Sequence, residues 1–97
     1  MNDEDFEWDD AKNVSNDTKH GVTFERARLV FSDPFGIGEF DDRPIEGEDR
    51  FTVTGMVAGV LLLVAYTERR GRIRIISARR ATKHERDDYF RQNRRAP

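Results

Sequence analysis

The sequence predicts an α+β fold, an antiparallel β-sheet with two helices before it and one helix after it. Between residues 51 and 78, three segments of strand character follow one another with short glycine-containing turns between them, which is typical of hairpin-connected strands. Helix-capping residues lie on both sides of this block, at Asp9, Thr23 and Thr82. The regular strand–helix alternation of a doubly wound parallel sheet does not occur in the pattern.

Two helices are predicted in the N-terminal half, after a short edge strand at Phe6–Trp8. Asp9 is suited to cap the first helix, which runs to about residue 19 because Gly21 is a typical terminating residue. The second helix covers Phe24–Phe31, where apolar residues recur on one face. It ends before Pro34, because the residue before proline is pushed out of the helical region.

The sheet is predicted from the segments that follow. A short strand at Phe35–Phe40 precedes an acidic loop over residues 41–49. Alternating apolar and polar residues indicate a half-buried strand from residue 51 to residue 56, and the continuous apolar run Val60–Tyr66 indicates the central strand. Alternation resumes over Arg72–Ala78.

The C-terminal helix is predicted from a capping box. Thr82 and Glu85 have the required spacing, and the helix extends to about Arg91. With 97 residues the chain fits one domain of the usual size, roughly 100–150 residues. Residues 1–5 and 93–97 are predicted to be its frayed ends.

Charge is distributed unevenly along the chain. Residues 1–50 hold 6 Lys and Arg against 15 Asp and Glu, whereas residues 51–97 hold 11 against 4, and ten of those eleven cations are Arg. Such asymmetry suggests either a surface that faces a polyanion or a solvated surface that pairs with the acidic half.

Several classes of site are excluded or disfavoured. Cysteine is absent, which rules out disulfides and thiolate chemistry. The two histidines, His20 and His84, share no ligand spacing, and neither a glycine-rich phosphate loop nor a serine nucleophile motif occurs, so no metal and no cofactor is expected. No apolar run reaches the roughly 18 residues needed to span a membrane, and the N-terminus is acidic. We therefore expect a cytoplasmic protein without membrane contact.

An arginine-rich segment remains as the candidate site. It begins with a charged turn at residues 68–71, which also carries Arg69. Strict alternation then predicts two sides for the next strand, with Arg72, Arg74 and Ile76 on one and Ile73, Ile75 and Ser77 on the other. Arg79 and Arg80 follow at the strand end, just before a helix N-terminus, and this combination suits a phosphodiester. Alternatively, several of these arginines pair with Glu68, Glu85, Asp87 or Asp88.

Four other residues are candidates for proton transfer or charge stabilisation. His20 can exchange protons near neutral pH, although a histidine at a helix C-terminus can also merely cap carbonyls. Lys19 can neutralise developing charge or simply complement the helix dipole. Glu68 can act as a base or orient an arginine, and Tyr66 can offer its hydroxyl or serve as an aromatic at the edge of the core.

Three sequence motifs together resemble the BrnT-type toxin family. Together they span about residues 6–90. The first motif is Phe6-Glu7-Trp8-Asp9 with Lys12, Asn16 and Lys19-His20-Gly21-Val22-Thr23-Phe24, and the second is Glu46-Gly47-Glu48-Asp49-Arg50-Phe51 with Gly55. The third is Tyr66-Thr67-Glu68-Arg69 with Arg72 to Thr82, Glu85-Arg86 and Tyr89. One departure is Asp10, where members of the family commonly carry proline, and this affects only how the first helix begins.

The resemblance implies a RelE-like fold and a toxin that cleaves RNA without a metal and inhibits translation. It also implies a cognate antitoxin, BrnA-like and DNA-binding, that neutralises the toxin in a hetero-oligomer. Operator DNA would be contacted only through that antitoxin.

The residues themselves are compatible with this chemistry. The RNA 2′-hydroxyl supplies the nucleophile, so the protein must supply a base, an acid and cations. We expect Arg74 and Arg79 to clamp the phosphate and Arg80, with Arg69, Arg72 and Tyr66, to support substrate binding. Lys19, His20 and Glu68 are the candidates for proton transfer or charge stabilisation. The competing hypothesis is a non-catalytic module that uses the same arginine-rich face to bind protein or nucleic acid.

Overall fold

A computed structural model of the chain describes residues 5–42 and 47–94. It confirms the predicted α+β class. The elements described are β1 Phe6–Glu7, α1 Asp10–His20, α2 Phe24–Ala27, a 3₁₀ helix Arg28–Ser32, β2 Ile37–Asp41, β3 Arg50–Val57, β4 Val60–Arg69, β5 Arg72–Arg80 and α3 Lys83–Asn93. Part of the predicted acidic loop (43–46) and most of the predicted frayed ends (1–4 and 95–97) lie outside the described residues.

The five strands form one sheet in the order β1-β5-β4-β3-β2, with β1 parallel to β5 and the other neighbours antiparallel. Ala58-Gly59 and Arg70-Gly71 form the two hairpin turns, and all four residues have positive φ. This conformation matches the right-handed twist of paired strands, and glycine at the second position adopts it without steric cost. The predicted charged turn 68–71 is therefore shorter than expected, because β4 continues to Arg69 and β5 begins at Arg72.

The core lies between one face of the sheet and the helices that precede it. Phe24, Ala27 and Val30 are fully buried there and belong to one apolar cluster with Leu62 and Val64 of the central strand. We call this side of the sheet the helix-covered face and the opposite side the open face. Burial of these side chains is the main source of stability in a domain of this kind.

The predicted second helix is shorter than expected. Its α-helical part ends at Ala27, and residues 28–32 are wound as a 3₁₀ helix that closes with a 3.1 Å bond from the Asp33 amide to the Val30 carbonyl. This region packs against β3 at Gly55, where an added Cβ would lie 3.0 Å from the Val30 carbonyl oxygen. Glycine at position 55 thus permits a backbone approach that no other residue allows without a shift.

Other element boundaries also differ from the prediction. β1 ends at Glu7, and the Trp8 ring instead enters the core, edge-on to Phe24 with ring centroids 6.2 Å apart. β2 begins at Ile37, because a turn closed by the Gly36 amide on the Asp33 carbonyl precedes it.

The C-terminal helix is longer than predicted. Asn93 lies within α3 rather than in the tail, and its side chain donates to the carbonyls of Tyr89 and Phe35 at 2.7 and 3.3 Å. These bonds satisfy a carbonyl near the helix end, which stabilises the last turn.

A β-bulge in β5 changes which of its side chains share a face. The cross-strand pairs are Arg72–Arg69, Arg74–Thr67, Ile75–Tyr66, Ser77–Ala65 and Arg79–Leu63, so Ile76 has no opposite residue. The prediction that Ser77 shares a side with Ile75 is wrong, because one extra residue reverses the alternation beyond it. Ser77 and Arg79 consequently lie on the open face together with Arg72 and Arg74.

Candidate functional site

The open face carries a row of polar side chains along β5. The row is Arg72, Arg74, Ser77 and Arg79, and these residues pair with alternate residues of β4. From Arg72 to Arg79 it extends about 20 Å, estimated from the rise per residue of an antiparallel strand. We call it the arginine row.

Asn16 of α1 fixes the edge of β5 beside the arginine row. β1 covers only the first part of this edge, and further along the buried Asn16 amide group replaces a neighbouring strand. It accepts from the Ala78 amide at 3.2 Å and donates to the carbonyls of Ala78 and Val22, each at 2.8 Å. These bonds satisfy buried backbone groups and hold the strand that carries Arg79.

Tyr89 ties α3 to the sheet. Its hydroxyl donates a 2.6 Å hydrogen bond to Asp33 Oδ2, which also accepts from the Met56 amide at 2.7 Å. Burial opposes ionisation of Asp33, but hydrogen bonds from Tyr89, Met56 and Phe35 outweigh it and lower the pKa of this carboxyl. Burial and the bond to Asp33 in turn raise the pKa of Tyr89 to about 12. This contact sets where α3 lies over the open face.

A cavity of about 580 Å³ opens between α3 and the open face. Arg79, Ser77 and His84 contribute to one wall, while Glu39 and Asp41 of β2 contribute to the opposite wall. The β2 side carries carboxylates alone, whereas on the β5 side Arg79 lies with Glu85 and Asp88, which also line the cavity. A phosphate is repelled from the β2 wall, and Arg79 is the lining cation that can attract it on the β5 side.

Arg79 is held by Glu85 at the start of α3. Two hydrogen bonds of 2.8 and 3.0 Å join the guanidinium to the carboxylate. The same carboxylate accepts from the Thr82 amide and so completes the predicted capping box. The Arg79 bonds lower the pKa of Glu85, and the Glu85 bonds raise the pKa of Arg79. The alternative that these arginines pair with carboxylates is thus confirmed for Arg79.

Glu7 of β1 is the carboxylate partner of the other two arginines of the row, Arg74 and Arg72. It accepts a 2.8 Å bond from Arg74 Nη1, and its second oxygen lies 3.8 Å from Arg72 Nε. Arg72 also donates to the Phe6 carbonyl at 2.8 Å. Arg72 therefore helps to hold β1, while the Arg74 side chain keeps about a quarter of its surface exposed, at 28%.

The remaining two predicted arginines lie at the periphery. Arg69 is at the end of β4, where it makes bonds of 3.0 and 2.8 Å to the Glu48 carboxylate and lowers the pKa of that group. Arg80 pairs with Leu62 and lines a separate, smaller cavity of about 260 Å³ with Arg86 and Phe90. The structure thus separates Arg80 from Arg79.

Tyr66 lies on the helix-covered face. Its ring contacts Phe31 and Phe51 with centroid distances of 4.9 and 5.6 Å, and burial raises the pKa of its hydroxyl. The interpretation as an aromatic at the edge of the core fits this placement. Glu68 is exposed and pairs with Ile73, also on the helix-covered side.

Lys19 and His20 are exposed in the last turn of α1. Gly21 follows in the left-handed conformation and terminates the helix as predicted. Neither residue is among the described residues that line the cavity beside Arg79.

His84 lines that cavity instead, and sequence reasoning considered it only as a metal ligand. Its Nε2 lies 3.3 Å from Asp88 Oδ2, one helical turn further on. The signal that could have found it was its position directly before Glu85 of the capping box, in a helix that begins where the arginine row ends.

Residues 5–42 and 47–94 form neither a metal-binding cluster nor a membrane-spanning helix. No three His, Asp or Glu side chains there come together in an arrangement that could hold a metal ion. In the same ranges, no helix has the length and apolar character required to cross a membrane.

Comparison with known proteins gives one family. The sequence model described as "Ribonuclease toxin, BrnT, of type II toxin-antitoxin system" matches residues 8–85. No curated protein matches the chain. The matched range includes the arginine row, the Asn16 contact with β5 and the Arg79–Glu85 pair.

Proposed function

The chain belongs to the BrnT family of ribonuclease toxins from type II toxin–antitoxin systems, and on that premise we propose that it is a metal-independent endoribonuclease that inhibits translation. The substrate is RNA, and the reaction is attack of a 2′-hydroxyl on the adjacent phosphate. The observation that carries the proposal is the arginine row on the open face, which the β5 bulge extends to Arg79.

Arg74 and Arg79 are proposed to contact the phosphates. Guanidinium groups match phosphate oxygens in two-point contacts, and they stabilise the additional negative charge that develops on the phosphorane. Both side chains are partly exposed, at 28 and 39%, so a ligand can reach them from solvent. Arg69 and Arg72 are proposed to extend the same track along the RNA backbone.

The carboxylate partners position these cations. Glu85 holds the Arg79 fork with two bonds, and Glu7 holds Arg74 with one. Each guanidinium has five N–H donors, so bonds to a carboxylate leave donors for phosphate. Orientation before the substrate arrives reduces the entropy that binding must overcome.

In the proposed reaction, RNA and the arginine row together supply what a metal ion would otherwise provide. RNA brings its own nucleophile, and the arginines supply the positive charge that a metal ion would otherwise provide. Among the sequence candidates for proton transfer, Lys19 and His20 do not line the cavity beside Arg79, and Glu68 lies on the helix-covered side of the sheet.

The family also implies an antitoxin partner. We propose that it is a DNA-binding, BrnA-like protein that neutralises the toxin in a hetero-oligomer and alone contacts operator DNA. Support for a protein-binding surface comes from the β2 edge, which borders no further described strand, and from Phe35 and Phe40, which are 53 and 58% exposed. Exposed aromatics near an open strand edge are typical of protein interfaces.

RNA cleavage by the purified protein in EDTA tests the proposal. Wild type is expected to cut RNA and leave a 2′,3′-cyclic phosphate, while Arg79→Ala and Arg74→Ala lose at least tenfold in rate, since each removes a charge-assisted contact. Arg26→Ala is the matched control, because it removes one guanidinium on the helix-covered side. The proposal would be refuted if the folded protein cleaved neither naked RNA nor the messenger RNA on translating ribosomes.

The second candidate is a non-catalytic binding module that uses the same row. The ion pairs of Arg79, Arg74 and Arg69 support it, because guanidinium groups held by carboxylates and still partly exposed can dock an anionic ligand without any proton transfer. In that case Arg79→Ala weakens binding of an RNA or protein ligand, and wild type never cleaves.

A further inference from the structure

We propose that His84 exchanges the proton of the attacking 2′-hydroxyl, and that His20 has no part in the reaction. This inference rests on the proposed RNA cleavage. The chain has two histidines, and an ordinary imidazole is the side chain whose charge changes near neutral pH. The positions of the two histidines therefore decide which of them can act as the base.

The first turn of α3 places His84 beside the phosphate-binding group. The reciprocal bonds between Thr82 and Glu85 fix where the helix starts. The two bonds between Glu85 and Arg79 then fix that turn against β5. His84 lies between the two capping residues, and it shares the cavity with Arg79.

Solvent reaches the imidazole easily. The His84 side chain is 85% exposed, so a ribose can approach it without any rearrangement of the core. His20 is exposed as well, but it is not among the described residues that line the cavity with Arg79. A base must reach its proton directly or through one water, and this requirement favours His84.

Charged side chains surround His84 on several elements. In its cavity these are Asp88 and Glu85 of α3, Arg79 of β5, Glu39 and Asp41 of β2, and Asp42 beyond it. Asp88 lies 3.3 Å from the ring and is paired with Arg91, so it is held where it can pair with the positive ring that forms after proton uptake. The β2 carboxylates repel phosphate, whereas Glu85 and Asp88 are paired with Arg79 and Arg91, and this difference directs a phosphate towards the side of the cavity where Arg79 lies.

The proposed step balances without an added reagent. The 2′-oxygen forms a bond to phosphorus as its proton moves to the His84 imidazole. The bond from phosphorus to the 5′-oxygen breaks, and water supplies the proton that this oxygen takes. The His84 proton then returns to water, which leaves a 2′,3′-cyclic phosphate and a 5′-hydroxyl.

Cleavage rates of wild type, His84→Gln and His20→Gln between pH 5 and 9 test this assignment. His84→Gln is expected to lose about 100-fold or more in rate, the usual contribution of a general base, and to change the shape of the pH profile. His20→Gln is expected to keep both the rate and the profile. Binding of an RNA with 2′-O-methyl groups, which cannot react, is expected to stay within about threefold of wild type for both variants, since neither histidine is a phosphate clamp.

The outcomes separate this inference from the function on which it rests. Full activity and an unchanged pH profile in His84→Gln, with cleavage by wild type, overturn the inference alone. A loss of activity in His20→Gln overturns it as well. No cleavage by wild type overturns the proposed function, and the inference falls with it. Because His84 is a surface side chain, its variant is expected to unfold at the same temperature as wild type, which separates a catalytic effect from a structural one.

Discussion

Replacing Tyr89 by Phe removes the hydroxyl that ties α3 to the sheet. The ring stays buried and can keep its packing, so the change isolates one 2.6 Å hydrogen bond to Asp33. Asp33 retains the amides of Met56 and Phe35 as donors, at 2.7 and 2.9 Å. The variant therefore tests how strongly the contact holds the helix that carries His84.

The magnitude follows from the charge of the acceptor. A hydrogen bond to a charged group stabilises by about 1.5–3 kcal/mol, and the two remaining donors to Asp33 favour the lower end of that range. We expect Tyr89→Phe to lower the free energy of unfolding by about 1.5–2 kcal/mol at pH 8. In a domain of this size that corresponds to a fall in Tm of about 6–16 °C.

The stabilisation by the Tyr89 hydroxyl also depends on pH in a predictable direction. The pKa of Tyr89 is raised to about 12 in the folded protein, above the ordinary tyrosine value near 10. The protonated hydroxyl therefore stabilises the fold fully below about pH 10, and this stabilisation is lost as pH rises towards about 12. The difference between wild type and Tyr89→Phe is expected to be constant at neutral pH and to shrink over that alkaline range.

Urea unfolding followed by circular dichroism, at pH 8 and then in steps up to pH 11.5, measures both quantities. Tyr66→Phe is the matched control, because it removes the same atom from a half-buried ring whose hydroxyl has no hydrogen-bond partner among the described residues. A loss below about 0.5 kcal/mol at pH 8, which is typical of an unimportant surface change, would refute the reasoning. A wild-type advantage that stays constant up to pH 11.5 would refute the linkage to Tyr89 ionisation.

Three further variants test other contacts. Asn16→Ala removes three buried hydrogen bonds and is expected to lower the free energy of unfolding by about 3 kcal/mol, measured by urea unfolding. Its control is Thr18→Ala at an exposed position of the same helix, which should change the free energy of unfolding by less than about 0.5 kcal/mol. Gly55→Ala places a Cβ 3.0 Å from the Val30 carbonyl and is expected to cost about 1–3 kcal/mol, measured as a lower urea midpoint at unchanged slope. Glu7→Gln removes a negative charge beside two open-face arginines but keeps an oxygen that can accept from Arg74 and orient it. It is expected to tighten binding of 2′-O-methyl RNA about fivefold, measured by fluorescence anisotropy, and weaker binding would contradict the proposed phosphate track.

The parts of the fold that depend on local signals were predictable from the sequence. Asp9, Gly21 and the Thr82–Glu85 capping box act through bonds within a few residues, and the structure places each where it was expected. The 3₁₀ helix at residues 28–32 was not predictable in this way, because its winding accompanies the long-range contact between Val30 and Gly55.

The candidate site was predictable in its residue types but not in its geometry. Arg74 and Arg79 were identified from the density of arginine, but only the pairing between β4 and β5 shows that they share a face. Tyr66 and Arg80 were grouped with them because they are close in sequence, yet alternation along a strand separates neighbours onto opposite sides. His84 was missed as a candidate for proton transfer, because the capping box shows where α3 begins but not that its first turn packs beside Arg79.

The β5 bulge has a consequence for how this chain can change during evolution. Deletion of the single codon for Ile76 would leave composition, charge and capping signals almost untouched. It would also remove the bulge, because Ser77 would then follow Ile75 directly and pair with Ala65 in regular alternation. Ser77 and Arg79 would stay on the open face, so the arginine row would remain intact. Lineages of this protein are therefore expected to tolerate both substitution and loss of residue 76, since neither changes the face on which Arg79 lies.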